Sequence, residues 1–422
     1  MVDVEAAPSR PVTYANVYKA YAGACLKNLQ FFGALAVPYF LDWLRVDYTR
    51  LFLLQAWLIF WVFALEIPTG IVADKFGRKL SVAAGCLLFS ADMLFFGLGS
   101  PYPVLFVGEF LGAVGLTLMS GAEEALLYDT LVALGEQDRA RHYFSRAGAA
   151  GTLGLLVAFP LGAFVADRGQ YPGVLRVPFL MTAGAAILAA VVYGSMREPD
   201  RVKPKEGFLR MGVQGLRTLF GHAQLRGYVL NAVTISAVTF FVFWFYQPLG
   251  QRAGMRLTYI GLLAAGFNLF AAALLANSER LERLLGIRRL LFLTAVAPAV
   301  LFAALAWTRS LWLIVPALFL LVGCKLVRVP VLTALINRHV DSENRATVIS
   351  SVSLLERAIT FVLYPIIGRL ADVKVAGQYV VEQASSEGGV DLALYTLAVL
   401  CAVFALGTRL TDRQLGGVST SE

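Results

Sequence analysis

Long apolar runs recur along the whole chain and are separated by short polar segments. Each run holds about 20 residues, which is the length that an α-helix needs to cross the hydrocarbon core of a bilayer. We place twelve runs near residues 17–40, 51–72, 80–99, 103–126, 147–166, 176–195, 228–249, 258–276, 289–307, 310–335, 347–370 and 390–408. Because a single soluble core cannot bury so many runs, the pattern predicts an all-α membrane protein with twelve transmembrane helices.

Composition supports a multi-pass membrane protein and narrows its chemistry. The chain is 58% hydrophobic and 15% charged, whereas soluble domains carry about 25% charged residues. Residues 1–12 lack an apolar core, so we expect no cleavable signal peptide. The four cysteines are scattered through apolar runs, which favours neither disulfides nor a metal site, and we expect no cofactor. The net charge of +8 is concentrated in loops and does not indicate nucleic acid binding.

The distribution of lysine and arginine predicts the orientation of the chain in the membrane. Alternate loops hold most of these cations, and the richer side is expected to be cytoplasmic. Both termini then lie in the cytoplasm, in agreement with an even number of crossings. We expect a multi-pass protein of the bacterial inner membrane, acting as a monomer among membrane lipids.

One long basic segment divides the runs six and six. The predicted organisation is an N-terminal six-helix bundle over 1–195, a cytoplasmic linker over 196–227 and a C-terminal six-helix bundle over 228–422. Apolar residues of the linker recur at nearly helical spacing between Phe208 and Phe220, which is typical of an interfacial helix. Its glycines favour a solvated linker instead, so both alternatives stay open.

The two halves of the sequence echo each other. Pro160 and Asp167 are matched by Pro365 and Asp372 at an offset of 205 residues, and Phe31 with Phe32 is matched by two phenylalanines at an offset of 209. Several matches in order at nearly one offset indicate an internal repeat. We therefore predict two pseudo-symmetric six-helix bundles related by an axis along the membrane normal.

The turn between the second and third runs has a distinctive sequence. It reads Glu66-Ile-Pro-Thr-Gly70-Ile-Val-Ala-Asp74-Lys-Phe-Gly77-Arg78-Lys79. The pattern Gly-x-x-x-Asp-x-x-Gly-Arg-Lys resembles the loop between the second and third helices of major facilitator superfamily transporters, in residue type, spacing and position. The sequence from Ser120 to Asp129 is similar to a bacterial branch of general and multidrug-like transporters.

The resemblance implies a role for Gly70, Asp74, Gly77, Arg78 and Lys79, which we call the gating segment. In the family this segment holds the cytoplasmic ends of the two halves together while the substrate site faces outward. Gly70 would permit close helix approach, Asp74 would face a helix N-terminus, and the cations would pair with carboxylates. A purely topogenic role would need only the cations.

Two departures from the drug–proton antiporters of the family are visible. Glu109 stands where those proteins commonly carry an arginine in the fourth span. The fifth span keeps only Pro160 and Gly162 of the usual Gly-Pro-x-x-Gly-Gly. The resemblance therefore fixes the fold better than the substrate.

Ionisable residues at bilayer depth are costly and mark candidate functional positions. These residues are Lys27, Glu66, Asp92, Glu109, Glu123, Glu124, Lys325, Arg328, Glu356 and Arg357, and the polar Asn28, Gln30 and Gln247 accompany them. By resemblance, the first, fourth, seventh and tenth spans line the cavity, which favours Lys27, Glu109, Lys325 and Arg328. We expect Asp92 to serve helix packing.

Three interpretations of these residues remain open. Glu109 or Glu356 could bind and release the coupling proton. Lys27, Lys325 and Arg328 could form a pocket for a small organic anion or an anionic amphiphile. Arg328 and Glu356 could instead form a structural ion pair between the tenth and eleventh spans.

The resemblance predicts a proton-coupled secondary transporter of a small organic solute that works by alternating access, and it leaves both export and import open as the direction of transport. The alternatives are an uncoupled facilitator or importer of an organic anion, and a receptor or lipid-handling protein on the same scaffold. No enzyme is expected, because the three histidines lie in predicted loops and no phosphate-binding Gly-x-x-x-x-Gly-Lys-Ser/Thr motif occurs.

Overall fold

The computed structural model of the chain describes residues 12–199, 223–339, 342–373 and 387–415. The predicted interfacial helix between Phe208 and Phe220 lies outside these residues. The helices are α1 Ala15–Lys27, α2 Ala36–Pro38 with a π-helical extension Tyr39–Trp43, α3 Tyr48–Phe76, α4 Arg78–Gly97, α5 Tyr102–Met119, α6 Ala122–Ala133, α7 Ala140–Arg168, α8 Val177–Gly194, α9 Ala223–Phe240, α10 Val242–Arg252, α11 Leu257–Ala276, α12 Ser278–Leu285, α13 Ile287–Trp307, α14 Leu311–His339, α15 Ser342–Ala371 and α16 Glu387–Leu415.

Eleven helical segments among the described residues are long and apolar enough to cross a membrane. The first predicted run, 17–40, is not a continuous helix, which corrects the expectation. Helix α1 ends at Lys27, residues 28–35 are not helical, and α2 begins at Ala36. Together with this broken segment, the eleven helices make the twelve predicted crossings.

The break between α1 and α2 is stabilised by side chains of α10. Gln247 accepts a hydrogen bond from the Val37 N–H at 2.9 Å. The Gly33 carbonyl accepts hydrogen bonds from the Gln247 amide and the Tyr246 hydroxyl, each at 3.3 Å. Since an unpaired backbone group is costly in a membrane, these bonds allow the helix to break at this depth.

The contacts divide the chain into two compact units. Unit 1 comprises Met1–Phe32, Ala64–Ala158 and Arg176–Lys205, and unit 2 comprises Gly33–Phe63, Phe159–Leu175 and Glu206–Glu422. The continuous helices α3 and α7 therefore contribute to both units. The predicted division into bundles 1–195 and 228–422 stays a prediction.

Unit 1 is built around α4, which packs closely against α5 and α8. Glycines bring the backbones of α4 and α5 together: a Cβ on Gly115 would lie 2.7 Å from the Gly85 carbonyl oxygen and 2.9 Å from the Phe89 nitrogen. Small residues at helix contacts are the usual means of tight packing in membranes, where apolar surfaces gain little from leaving lipid.

Unit 2 contains a dense aromatic cluster. Phe52 is fully buried, and its ring contacts Phe241, Phe245 and Tyr364 at centroid distances of 5.6, 6.2 and 5.3 Å. The Trp244 indole N–H donates to the Tyr364 hydroxyl at 3.1 Å. Aromatic contacts in these geometries add to the dispersion energy of the core.

The α4–α5 contact predicts different effects for two glycine-to-alanine changes. Gly115→Ala forces backbones apart and should lower the thermal midpoint of the purified protein by several degrees. Gly184→Ala on α8 is the matched control, because no atom of the described residues lies within 4 Å of its Cβ position. Equal midpoints for the two variants would contradict this account of the packing.

Candidate functional site

The gating segment contains the junction between α3 and α4, which are separated by a single residue. Helix α3 ends at Phe76 and α4 begins at Arg78. Gly77 between them has φ +117°, a conformation that other residues rarely adopt. The Gly-Arg-Lys part of the motif therefore supplies the backbone conformation of Gly77 as well as the positive charges of Arg78 and Lys79.

Two carboxylates bind the start of α4. Glu198 accepts hydrogen bonds from the Arg78 N–H at 2.8 Å and the Lys79 N–H at 2.9 Å. The Arg78 guanidinium forms an ion pair with Asp129 and donates to the Ala125 carbonyl at 3.0 Å. The Glu198 carboxylate is favoured here because the N–H groups of the first helical turn lack intrahelical partners.

The segment that carries Glu198 is also bonded to α1. Asn16 exchanges two hydrogen bonds with the Arg197 backbone, at 2.8 and 3.0 Å. The Lys19 ammonium donates to the Ser195 carbonyl at 2.8 Å. The end of α8, the start of α4 and helix α1 thus form one polar network within unit 1.

Gly70 and Asp74 lie in the last two turns of α3. Both are exposed, and no atom of the described residues lies within 4 Å of a Cβ position on Gly70. Close helix approach at Gly70 is therefore not seen in this structure. Glu198, which caps a helix as Asp74 was expected to do, was missed by sequence reasoning. The signal available was an acidic residue directly after the sixth apolar run.

A second polar contact joins α1 to the loop that precedes α7. The Tyr14 hydroxyl donates to Glu136 at 2.8 Å, and Arg139 lies 3.1 Å from the same carboxylate. The hydrogen bond raises the pKa of Tyr14 and lowers the pKa of Glu136. Both shifts express the preference of this contact for an ionised glutamate.

Lys27 belongs to a bonded cluster within unit 1. Its ammonium forms an ion pair with Glu123 of α6, and the Tyr193 hydroxyl donates to the other oxygen of that carboxylate at 2.5 Å. The side chains of Lys27 and Glu123 are both about one-fifth exposed, at 22% each. The sequence analysis identified Lys27 and Glu123 as candidate residues but did not predict that they form an ion pair.

Helix α1 ends beside a glycine of α7. The Asn28 amide donates to the Ala24 carbonyl at 2.8 Å, and Gln30 is half-buried in the break that follows. A Cβ on Gly154 would lie 2.4 Å from the Cys25 carbonyl oxygen. Asn28 therefore has a structural role at the helix end.

Asp92 and Glu109 are both buried in unit 1, at 3% and 5% exposure. The Asp92 carboxyl lies against α5, where a Cβ on Gly112 would be 2.2 Å from one of its oxygens. Gly112 and Gly108 thus leave room for the carboxyl group between α4 and α5. This location agrees with the packing role expected of Asp92.

Unit 2 holds a second lysine–glutamate pair. The Lys325 ammonium lies 3.0 Å from Glu356 and donates to the Ser236 carbonyl at 3.0 Å, while the Ser236 hydroxyl donates to Glu356 at 2.7 Å. The ammonium also lies 5.3 Å from the centre of the Phe240 ring. The lysine side chain is 13% exposed and that of glutamate 31%.

Arg328, one turn after Lys325, has a different environment. It is 2% exposed, and its guanidinium donates to the Leu291 carbonyl at 3.1 Å and the Thr294 hydroxyl at 3.0 Å. The predicted pairing of the tenth and eleventh spans is present, but the ion pair that joins them is Lys325 with Glu356.

The remaining candidates occupy varied positions. Gln247 is 1% exposed and holds the α1–α2 break, so its role is structural. Glu66 and Arg357 are half-buried, and Glu124 is exposed. Among the described residues no group of three or more histidine, cysteine or acidic side chains could hold a metal ion.

Two of the intramembrane lysines are paired with glutamates. Lys27 has Glu123 and Lys325 has Glu356, each within its own unit. A partly buried ion pair leaves an unbalanced charge if either partner is neutralised or displaced, and this costs more free energy than it would at the surface. Such pairs can therefore respond strongly to a proton or a charged solute.

The chain belongs to the Major Facilitator Superfamily, whose family model matches residues 29–365. It is thus an integral, multi-pass membrane protein of a transporter family rather than of an enzyme family.

Two bacterial relatives illustrate what the sequence is similar to. Multidrug resistance protein 1 of Bacillus subtilis is 24% identical over 194 residues, which are 46% of this chain and 47% of that protein. Quinolone resistance protein NorA of Staphylococcus aureus is 23% identical over 145 residues, 34% of this chain and 35% of that protein. The chain thus matches about half or less of the length of these curated relatives.

Solved transporters share the fold at low sequence identity. The nucleoside transporter NupG has a TM-score of 0.76 at 13% identity, covering 94% of this chain and 98% of its own. A bacterial homologue of the human lysosomal transporter Spinster also has a TM-score of 0.76, at 15% identity, covering 96% of this chain and 99% of its own. These likenesses confirm the predicted all-α fold with twelve membrane crossings.

The network at the start of α4 predicts an effect for Glu198→Ala. Loss of the carboxylate leaves two N–H groups without their acceptor and should destabilise unit 1 by about 1 kcal/mol. Hydrogen exchange should accelerate in the first turn of α4, measured by mass spectrometry of the purified protein. Glu124→Ala, at an exposed position, is the control, and equal exchange in both variants would refute the cap.

Proposed function

We propose that the protein is a proton-coupled secondary transporter that exports small organic solutes by alternating access. Family membership supports transport of a small molecule. The names of the Bacillus and Staphylococcus relatives, which refer to multidrug and quinolone resistance, support export of organic compounds. We place the chain as a monomer in the bacterial inner membrane with both termini in the cytoplasm, as the lysine and arginine distribution indicates.

The ion pair between Lys325 and Glu356 carries the proposal of proton coupling. Glu356 is the more exposed partner, at 31%, and it accepts bonds from both Lys325 and Ser236. A proton on Glu356 removes the negative charge that balances Lys325. The lysine then loses an ionic partner in a low-dielectric environment, which favours a rearrangement of the surrounding helices.

Coupling to solute follows from the same electrostatics. A solute that presents a positive charge competes with Lys325 for Glu356, and one that presents a negative charge competes with Glu356 for Lys325. In either case binding and protonation affect the same pair, so the two events are thermodynamically linked. The pair between Lys27 and Glu123 in unit 1 offers the same chemistry.

The gating segment has a separate role in this proposal. Arg78 with Asp129, and Glu198 at the start of α4, stabilise one arrangement of the cytoplasmic helix ends. We propose that Asp74 completes this network and that its release accompanies opening toward the cytoplasm.

Flux of the fluorescent quinolone norfloxacin into or out of proteoliposomes tests the transport proposal. Coupled transport should collapse when a protonophore removes an imposed pH gradient. Uncoupled facilitated diffusion would survive that treatment, and a receptor or lipid-handling protein would show no saturable flux with this or other organic probes.

Glu356→Gln tests the proton site within this assay. The amide keeps the shape and hydrogen-bonding capacity of the side chain but cannot carry the charge, so flux should lose its dependence on pH and fall about tenfold or more. Glu124→Gln is the matched control at an exposed position. A pH profile of Glu356→Gln that equals that of the wild type would exclude this residue as the proton site.

Asp74→Asn tests the gating segment. The variant should fold and insert normally, because Asp74 is exposed, while its initial rate of transport should fall severalfold. The same assay measures the rate, and size-exclusion chromatography checks the fold. Wild-type flux in Asp74→Asn would show that the segment has only a topogenic role.

A further inference from the structure

One face of α7 is exposed along the part of the helix that belongs to unit 1. Its residues follow one another at intervals of three or four and therefore lie on one side of the helix: His142, Arg146, Ala149, Leu153 and Val157. The first two side chains are polar and the last three are apolar. Leu153 and Val157 are 58% and 55% exposed, so their surface is available to a ligand. We call these five residues the α7 face.

Arg146 supplies a positive charge at the start of the α7 face. Its guanidinium forms no hydrogen bond or ion pair with the described residues, and it lies close enough to Tyr21 of α1 for an electrostatic interaction. The Tyr21 hydroxyl is buried and has no hydrogen-bond partner in the part of the chain that the structure describes. Guanidinium and hydroxyl donors together suit a ligand with several acceptor oxygens, such as a phosphate group.

The carboxylates nearest to Arg146 in the sequence leave a surplus of positive charge. The loop before α7 and the first two turns of the helix, residues 136–146, hold three arginines and two carboxylates. One of these carboxylates, Glu136, is already bonded to Arg139 and Tyr14. An anionic ligand at Arg146 therefore gains attraction from the surrounding charge.

The α7 face has about the length of one lipid leaflet. Arg146 immediately precedes the apolar run 147–166, at the end predicted to be cytoplasmic. Val157 lies eleven residues further along, which is about 16 Å at 1.5 Å per residue, and one leaflet of the hydrocarbon core is about 15 Å thick. Tyr18 is 69% exposed and packs edge-on against Tyr21, which adds an aromatic side chain typical of the membrane interface.

We propose that the α7 face and Tyr21 bind one anionic phospholipid of the cytoplasmic leaflet. The phosphate accepts hydrogen bonds from the Arg146 guanidinium, whose planar donors match phosphate oxygens, and lies beside the Tyr21 hydroxyl. One acyl chain covers Leu153 and Val157. The surplus positive charge around Arg146 selects an anionic headgroup over a zwitterionic one. The site lies within unit 1 and is distinct from the ion pairs proposed to bind the solute and the proton.

The apolar part of the α7 face distinguishes a lipid from a soluble phosphate compound. A soluble compound would reach only the Arg146 end, because Leu153 and Val157 lie at the depth of the hydrocarbon core. A phospholipid contacts both parts, since its headgroup meets the cation and its acyl chain meets the apolar side chains. The apolar residues thus favour a lipid, and the arginine decides which lipid binds.

Arg141 provides a matched control on the same helix. It is exposed and, like Arg146, its side chain forms no ion pair with the described residues. The five positions between the two arginines rotate Arg141 by about 140° around the helix axis, at 3.6 residues per turn. Arg141→Gln therefore removes the same charge near the same depth but leaves the α7 face unchanged.

Native mass spectrometry of the full-length protein, titrated in detergent with dioleoylphosphatidylglycerol, tests the proposal. Arg146→Gln should weaken binding of the first lipid molecule about fivefold, whereas Arg141→Gln should bind it as the wild type does and Arg146→Lys should keep most of the affinity. Dioleoylphosphatidylcholine should bind the wild type about fivefold more weakly than the anionic lipid. A phosphatidylglycerol with a diazirine in its acyl chain should crosslink to residues 147–158.

Three outcomes would overturn the proposal. Equal weakening in Arg146→Gln and Arg141→Gln would show a diffuse response to charge, and wild-type affinity in Arg146→Gln would show that this arginine does not hold the headgroup. Displacement of the lipid by an equal concentration of glycerol 3-phosphate would identify a site for a soluble phosphate compound. None of these measurements depends on transport, so the lipid site is decided even if the proposed function fails.

Discussion

In the core of a bilayer no water is available to backbone or charged groups, and this constraint accounts for the polar contacts of this protein. The interruption of the helix after Lys27 is stabilised by hydrogen bonds with Gln247 and Tyr246. Lys27 and Lys325 each form an ion pair with a glutamate. The ionisable residues that the sequence places in apolar runs therefore specify contacts between helices as well as chemistry.

Close contacts between helices in this protein occur at glycines, which lack a side chain that would keep the backbones apart. Gly115 brings α5 to the backbone of α4, Gly261 brings α11 to α7, and Gly368 brings α15 to α3. Lipid and apolar side chains are alike in polarity, so helix association relies on close van der Waals contact and on hydrogen bonds. The internal repeat places an aspartate and the threonine that it binds at equivalent positions, since Asp167 accepts a hydrogen bond from Thr258 and Asp372 accepts hydrogen bonds from Thr49.

The candidate site was only partly predictable. Lys27, Glu123, Lys325 and Glu356 stand out in the sequence because charges are rare at that depth, but their pairing is visible only in three dimensions. Lys325 lies one turn from Arg328, and periodicity cannot tell which of them reaches Glu356. Glu198 was missed because it follows an apolar run and no local pattern shows that its carboxylate reaches the start of α4.

The sequence by itself determined the family, the all-α membrane fold and the number of crossings, because apolar length and the gating motif are local properties of the chain. The tertiary structure alone decided where the first crossing breaks, which carboxylate neutralises each of Lys27 and Lys325, and that Asp167 and Asp372 each bind a threonine at the start of another helix. These features depend on contacts between residues that are far apart in sequence, and hydrophobic periodicity carries no information about them.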